Sequence, residues 1–153
     1  MGRVESAVEI DAPIDKVFAY LSNPKNQEKI FVDSDFKIED VSDQTTKVGT
    51  KFRISAVIGG REVKPHWHEI IEFEQNHRIV SREVKGGGGV FKNEELIFAL
   101  EIIDKGTKLT IVEDYEFPYS VLGKLIDKLM AKKGFELWIQ SGAKRAKEIL
   151  EAT

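Results

Sequence analysis

The sequence predicts an α+β domain in which seven antiparallel strands pack against one long C-terminal helix. Three observations lead there. Residues 119–150 carry apolar side chains at helical spacing with no internal proline. Residues 36–117 read as strands broken by short Gly-, Asn- or Asp-containing turns. A length of 153 residues is that of one domain with its own core, so 1–153 is expected to be a single unit without linkers.

Val4, Ser6, Val8 and Ile10 alternate with Glu5, Ala7 and Glu9, the pattern of a half-buried strand. Asp11-Ala12-Pro13 ends it and places Pro13 at the first position of a helix whose apolar face is Ile14, Val17, Phe18 and Leu21. Ser22-Asn23-Pro24 stops that helix and starts a second over 25–30, capped by Asn23 or Ser22. Strands follow at 36–41, 50–58, 62–74, 79–85, 90–103 and 108–117, separated by Gly49, Gly59-Gly60, Gln75-Asn76, Gly86 to Gly89 and Asp104-Lys105-Gly106. Turns this short pair neighbours as antiparallel hairpins, so the six strands form a meander.

Pro118 ends the last strand, and the helix then runs to residue 152 with Leu122, Leu125, Ile126, Leu129, Phe135, Ile139, Ala143, Ala146 and Leu150 along its stripe. At 1.5 Å per residue it spans roughly 45 Å, enough to cross the whole sheet. The stripe drifts at Lys132, Lys133 and Gly134, which reads either as a mild bend at the mouth of a cavity or as two lysines reaching solvent. The helix carries seven Lys or Arg against four acids, which permits weak contact with an anionic membrane surface, although interspersed acids are equally the mark of a solvated face.

Net charge of −3 and the lack of a basic cluster outside the helix argue against a nucleic-acid partner. With no cysteine, disulfides, thiolate catalysis and zinc-thiolate sites are excluded, and a reducing compartment fits. No transmembrane run and no signal peptide are expected, so the cytoplasm is the expected location; the opening Met1-Gly2 matches a myristoylation pattern only loosely. Abundant Lys and Glu point to a heat-tolerant source. The composition leaves the oligomeric state undetermined.

In a meander alternate connections share one end of the sheet, so Gly59, Gly60, Gly86, Gly87, Gly88, Gly89 and Pro118 are expected together. Four consecutive glycines exceed what a tight hairpin needs and read as the lip of a cavity, or else as a hairpin tip without a role. Neither GxGxxG nor GxxxxGK is present to make it a phosphate loop.

Several polar residues fall on otherwise apolar faces. Glu113 sits among Leu109, Ile111, Tyr115 and Phe117, and Lys92 and Glu94 extend the face of Leu96, Phe98, Leu100 and Ile102. A carboxylate in such a row must be paired or wetted, so Glu113 is either a cavity acid or half of an ion pair with Lys92, Arg82 or a histidine. His66 and His68 point to one side of their strand, and Trp67 to the other with Ile71 and Phe73; the alternation leaves open which side faces inward. The histidines can act as acid and base near neutral pH. They supply only two metal donors, so no metal and no cofactor are expected unless a neighbouring strand adds a carboxylate. His77 lies in a turn and is expected to be inert, and Ser81, Ser120 and Ser141 lack the setting of a nucleophile.

The run Val8-Glu9-Ile10-Asp11-Ala12-Pro13-Ile14-Asp15-Lys16-Val17-Phe18, the turn Gly106-Thr107-Lys108-Leu109-Thr110 and the helix start Leu122-Gly123-Lys124-Leu125-Ile126-Asp127 resemble motifs of the START/SRPBCC superfamily. That superfamily has the helix-grip fold of the birch pollen allergen family and includes polyketide cyclase/dehydrase-like and CoxG-like proteins. The resemblance spans essentially the whole chain and is carried by structural residues. It implies a curved sheet wrapped around the C-terminal helix, enclosing a cavity for a lipid, quinone, sterol or polyketide. The candidate ligand-binding set is Trp67, His68, Arg82, Glu94, Leu96, Phe98, Glu113, Tyr115, Leu125 and Leu129. The expected function is binding or transport of a hydrophobic or amphiphilic molecule. The alternative is a cyclase/dehydrase-like enzyme using a cavity carboxylate or histidine, although the arginine and aromatic set of aromatase/cyclases is not recognisable. An interaction or membrane-surface module is the third reading.

Overall fold

A computed structural model describes residues 2–89, 91–118 and 125–152, the side chains of 125–128 excepted. The strands are β1 (Gly2–Ile10), β2 (Lys37–Glu39), β3 (Lys51–Ile58), β4 (Arg61–Glu74), β5 (Arg78–Glu83), β6 (Asn93–Ile103) and β7 (Gly106–Glu116). Helices α1 (Ile14–Leu21) and α2 (Gln27–Ile30), with 3-10 turns at Pro24–Asn26 and Val32–Ser34, separate β1 from β2, and α3 (Leu125–Glu151) follows the sheet. All strands form one antiparallel sheet in the order β1-β7-β6-β5-β4-β3-β2, so the meander is closed off by the first strand pairing with the last. This is the Bet v 1-like helix-grip arrangement.

Boundaries shift from the sequence reading where side-chain pattern and pairing part company. Strand β2 is three residues rather than six, because Asp40 turns the backbone to φ 53° just after it. Of the strand expected over 90–103, residue 90 lies outside the described residues and the strand runs from Asn93 to Ile103. Pro13 stands one position earlier than expected, as the N-cap of α1. Asn23 does cap the next turn, accepting from the Lys25 amide at 3.1 Å. The portion of the C-terminal helix expected over 119–124, with Leu122 and the glycine beside it, lies outside the described residues.

The core sits between the concave face of the sheet and α3, which buries Phe135, Trp138, Ile139, Ala143, Ala146 and Leu150. The helix is tied to the N-terminal edge: Lys147 Nζ donates to Glu9 O at 2.6 Å, and the Asp11 amide donates to Glu151 Oε2 at 2.8 Å. Lys132 and Lys133 are exposed, the solvent reading of the drift in the stripe. Gly134 is a close-approach residue, for a Cβ there would lie 3.2 Å from the Gly59 Cα of the β3–β4 turn.

On the opposite edge of the sheet, the Ile38 amide donates to Glu28 Oε2 at 2.7 Å, and Lys25 Nζ donates to Ile38 O at 2.9 Å. Lys25 and Glu28 are themselves paired at 2.9 Å. Further along the core, Gly142 of α3 faces the Phe31 ring, which packs at a tilt against Phe36 at 5.1 Å and Trp138 at 4.7 Å. A Cβ at Gly142 would overlap that ring. Alanine there is expected to destabilise the fold by about 1–3 kcal/mol through overpacking, although alanine is the better helix former by about 1 kcal/mol. Thermal unfolding of Gly142→Ala checks this, and an unchanged or higher Tm would refute it.

Candidate functional site

The concave face carries histidines and carboxyls where a plain core would carry hydrocarbon. Strand β4 turns His66 and His68 inward, 3% and 1% exposed. Trp67 faces the other way, with the Arg53 guanidinium 5.8 Å from its ring centre. A β-bulge between Ile70 and Glu72 then changes the parity of the strand. Phe73, expected on the tryptophan's side, therefore packs inward against Phe18 at 5.2 Å, while Ile71 stays outside with Val80, Ile97 and Val112. The same face receives Glu83 from β5, Glu94 from β6 and Glu113 from β7, all buried.

Hydrogen bonding fixes the state of the first histidine. His66 Nδ1 lies 2.9 Å from Lys64 O, and a carbonyl can only accept, so Nδ1 carries the proton. Nε2 of the neutral ring is then a bare lone pair, buried and without a partner. Burial, helped by the charge of His68, holds the His66 pKa below the usual histidine range. His68 places Nδ1 3.0 Å from Ser81 Oγ and Nε2 3.2 Å from Glu94 Oε1.

The acids are pushed the other way. Burial raises the Glu113 carboxyl well above the ordinary carboxylate range, and the charge of Glu94 and a shared hydrogen bond with it raise it further. Two carboxyls can share a hydrogen bond only if one keeps its proton, and Glu113 is the one that does. Burial, with Glu94 again second, brings Glu83 up to about 7. Glu83 Oε1, Glu94 Oε2 and Glu113 Oε1 have no hydrogen-bond partner. Four polar atoms, counting His66 Nε2, are thus buried and unmatched on one patch of the sheet.

Above this patch the walls are apolar. Phe36, Ile54, Ala56, Ile58, Val63, Phe91, Leu96, Phe135 and Trp138 line the space there together with His66, His68, Glu94 and Glu113 of the sheet. The cavity these residues enclose is about 20 Å³. That is room for about one water molecule, so the larger unfilled interior expected from the sequence is not found between these walls.

Of the predicted ligand-binding residues, His68, Glu94, Leu96 and Glu113 meet at this cavity. Tyr115 is buried beside it, its ring 4.7 Å from Phe135, and Phe98 is buried in the core two residues beyond Leu96. Three do not reach it. Trp67 lies on the outer face, Leu129 is 61% exposed on α3, and Arg82 points outward to Glu95 at 2.8 Å because it has the opposite parity to Ser81 and Glu83. Lys92 pairs with Glu116 at 3.3 Å. Neither cation is therefore the partner of Glu113, whose neighbour is a second acid. The Leu125 side chain lies outside the described residues.

The glycines divide in the same way. A Cβ at Gly88 would lie 2.9 Å from Pro65 O beside His66, and one at Gly89 would overlap the Glu83 carboxyl, so this half of the run is packed against the site. Gly59 meets α3, whereas Gly60 and Gly86 have open space around them and positive φ. Phe91, just past the run, packs at a tilt against Phe117, next to Pro118, at 5.3 Å.

Glu83, Phe36, Phe91 and Trp138 are site residues that the sequence reading did not single out. Only Glu83 carried a signal, its period-two relation to Ile79 and Ser81. The two histidines did need a third donor from another strand, and Glu94 stands there: the ligating atoms of His66, His68 and Glu94 all lie within 4.8 Å of one another.

Comparison with known proteins gives the wider frame. Among curated proteins none matches the sequence. Solved structures do: TTHA0849 from Thermus thermophilus superposes with a TM-score of 0.76 at 21% identity, covering 99% of this chain and 98% of its own. The Zhui aromatase/cyclase from Streptomyces sp. R1128 gives 0.77 at 17% identity, covering 98% and 93%. Ara h 8.0201 gives 0.69 at 14% identity, covering 99% of both chains. At such identities the likeness is one of fold. The family described as polyketide cyclase/dehydrase and lipid transport matches residues 1–151, and with the helix-grip architecture this establishes that the chain belongs to that family, within the SRPBCC superfamily.

Proposed function

We propose that this protein binds a hydrophobic or amphiphilic small molecule between the sheet and α3, with the polar end of the guest on the His66–His68–Glu94–Glu113 floor. One observation carries this reading: buried polar atoms without partners lie beneath apolar walls. Each unmatched group costs on the order of 1–3 kcal/mol, and a hydroxyl entering from the apolar side would donate its hydrogen to one of these acceptors. Family membership supports the same kind of ligand. A lipid-sized guest needs a pocket of several hundred Å³, so binding must displace the aromatic side chains that close the space, Phe91 and Phe135 first.

A second reading has its own support. His66 offers an unprotonated nitrogen, and Glu113 a carboxyl that keeps its proton, in one apolar pocket, which is the pairing that proton transfer at a ketone requires.

Native mass spectrometry separates the two. Protein purified without detergent, then offered a medium-chain fatty acid, a short-chain quinone or a linear polyketone, is expected to hold one guest per chain. A guest retained at its own mass supports binding; one released lighter by a water supports the cyclase/dehydrase reading. Failure to take up any of the three refutes both.

A further inference from the structure

We infer that His66, His68 and Glu94 form a binding site for a divalent first-row transition ion, with Zn2+ the best match. The inference does not rest on the apolar guest, since a guest can be held with or without an ion.

The geometry points there from several sides. Two imidazoles and one carboxylate, their ligating atoms within 4.8 Å of one another, are a donor set suited to Zn2+ and its neighbours rather than to Mg2+ or Ca2+, which prefer all-oxygen shells. All three residues are buried, at 3%, 1% and 6% exposure. His66 Nε2 has no partner and is available outright, while an ion would take the place of the 3.2 Å contacts that now join His68 Nε2 to the Glu94 carboxylate. Both histidines are anchored through the other ring nitrogen, His66 to the Lys64 carbonyl at 2.9 Å and His68 to Ser81 Oγ at 3.0 Å. Outer hydrogen bonds of this kind hold metal-binding imidazoles in orientation. The donors sit on adjoining parts of a paired sheet, where a modest inward movement brings them to the spacing that bonds of about 2.0–2.2 Å demand. Three protein ligands leave a fourth position facing the cavity, which has room for one water or one oxygen of a guest.

The cluster has an explanation once an ion is allowed. Two histidines and three acids on one buried patch are costly in a bare core, and a divalent ion would offset negative charge there, the nearby Arg82 and Lys92 being paired with Glu95 and Glu116.

The test is a titration of the full chain, freed of metal by a chelator and of apolar adducts by extraction, with Zn2+ by calorimetry and with Co2+ by visible absorption. One ion per chain is expected, with the intense d–d bands of a low-coordinate site for Co2+. His66→Ala and the isosteric Glu94→Gln should each weaken binding by at least about tenfold. His77→Ala, which removes the exposed third histidine of the chain, should leave it unchanged. Circular dichroism reports whether the variants fold, and the wild-type stoichiometry decides the matter even if one does not. Absence of stoichiometric binding, or binding that survives both site variants unchanged, overturns the proposal.

Discussion

Glu113→Gln should make the metal-free protein more stable at neutral and mildly alkaline pH, by on the order of 1–3 kcal/mol. The folded chain keeps the Glu113 proton at pH values where the unfolded carboxyl, with its ordinary pKa of 4.5, has released it. Folding therefore takes up a proton at Glu113, and that group's contribution to stability falls as pH rises above about 4.5, by ~1.4 kcal/mol for each unit of separation between its two pKa values. Glu83 acts in the same direction between 4.5 and about 7. His66, held below its ordinary 6.5, acts in the opposite direction up to that pH in both proteins. Glutamine fills the same space and can donate the same hydrogen bond to Glu94 without that proton uptake. Urea denaturation at about pH 4, 6 and 8 in the presence of a chelator measures the effect. The two proteins should be nearly equal at the acid end and diverge upward, with a flatter profile for the variant. Wild-type and variant profiles that ran parallel over this range would contradict the burial of a protonated acid at Glu113.

Phe135→Ala should move stability and binding in opposite directions. The ring is 7% exposed and touches Tyr115 at 4.7 Å, Phe91 at 6.0 Å and Trp138 at 6.3 Å. Its removal is expected to cost about 3–5 kcal/mol, a fall in Tm of roughly 10 °C. The same deletion enlarges the cavity beside the polar floor, so the fraction of protein carrying a guest in native mass spectra should rise. A loss of stability with no gain in uptake would mean that the guest, if any, lies elsewhere. A loss below about 1 kcal/mol would mean that the ring is not a wall of the core.

Much of this molecule could be read from its sequence, and the reasons differ by element. Strands β3 to β7 were legible because period-two alternation and Gly or Asn turns reinforce each other, and α3 because its stripe is long and free of proline. The pairing of β1 with β7 was not, since nothing local in Gly2–Ile10 says which strand it joins. Parity placed Glu113 on an apolar face and put His66 and His68 opposite Trp67, but it left open which of those two sides is inward and failed at Phe73, where one inserted residue at the bulge exchanges the two faces. Arg82 was misjudged because a cation beside a buried acid in sequence lies on the opposite face of its strand. The approach of Glu94 to His68 links residues 26 apart across β5, a register effect that side-chain pattern alone does not contain. The space available to a guest depends on how far aromatic rings from distant segments interlock, and sequence has little to say about that.

The ion-paired side chains over Ile38 affect the behaviour of many molecules together. A sheet's last strand ordinarily offers free amides and carbonyls on which a neighbour's strand can dock. Here both backbone groups of the central residue of β2 are already taken by Lys25 and Glu28, so an incoming chain would have to strip away a charged pair before gaining its first bond. At the far edge, the Glu9 carbonyl of β1 is held by a lysine from α3. Plugged in this way at both rims, the sheet offers few free backbone groups for templated growth into fibrils.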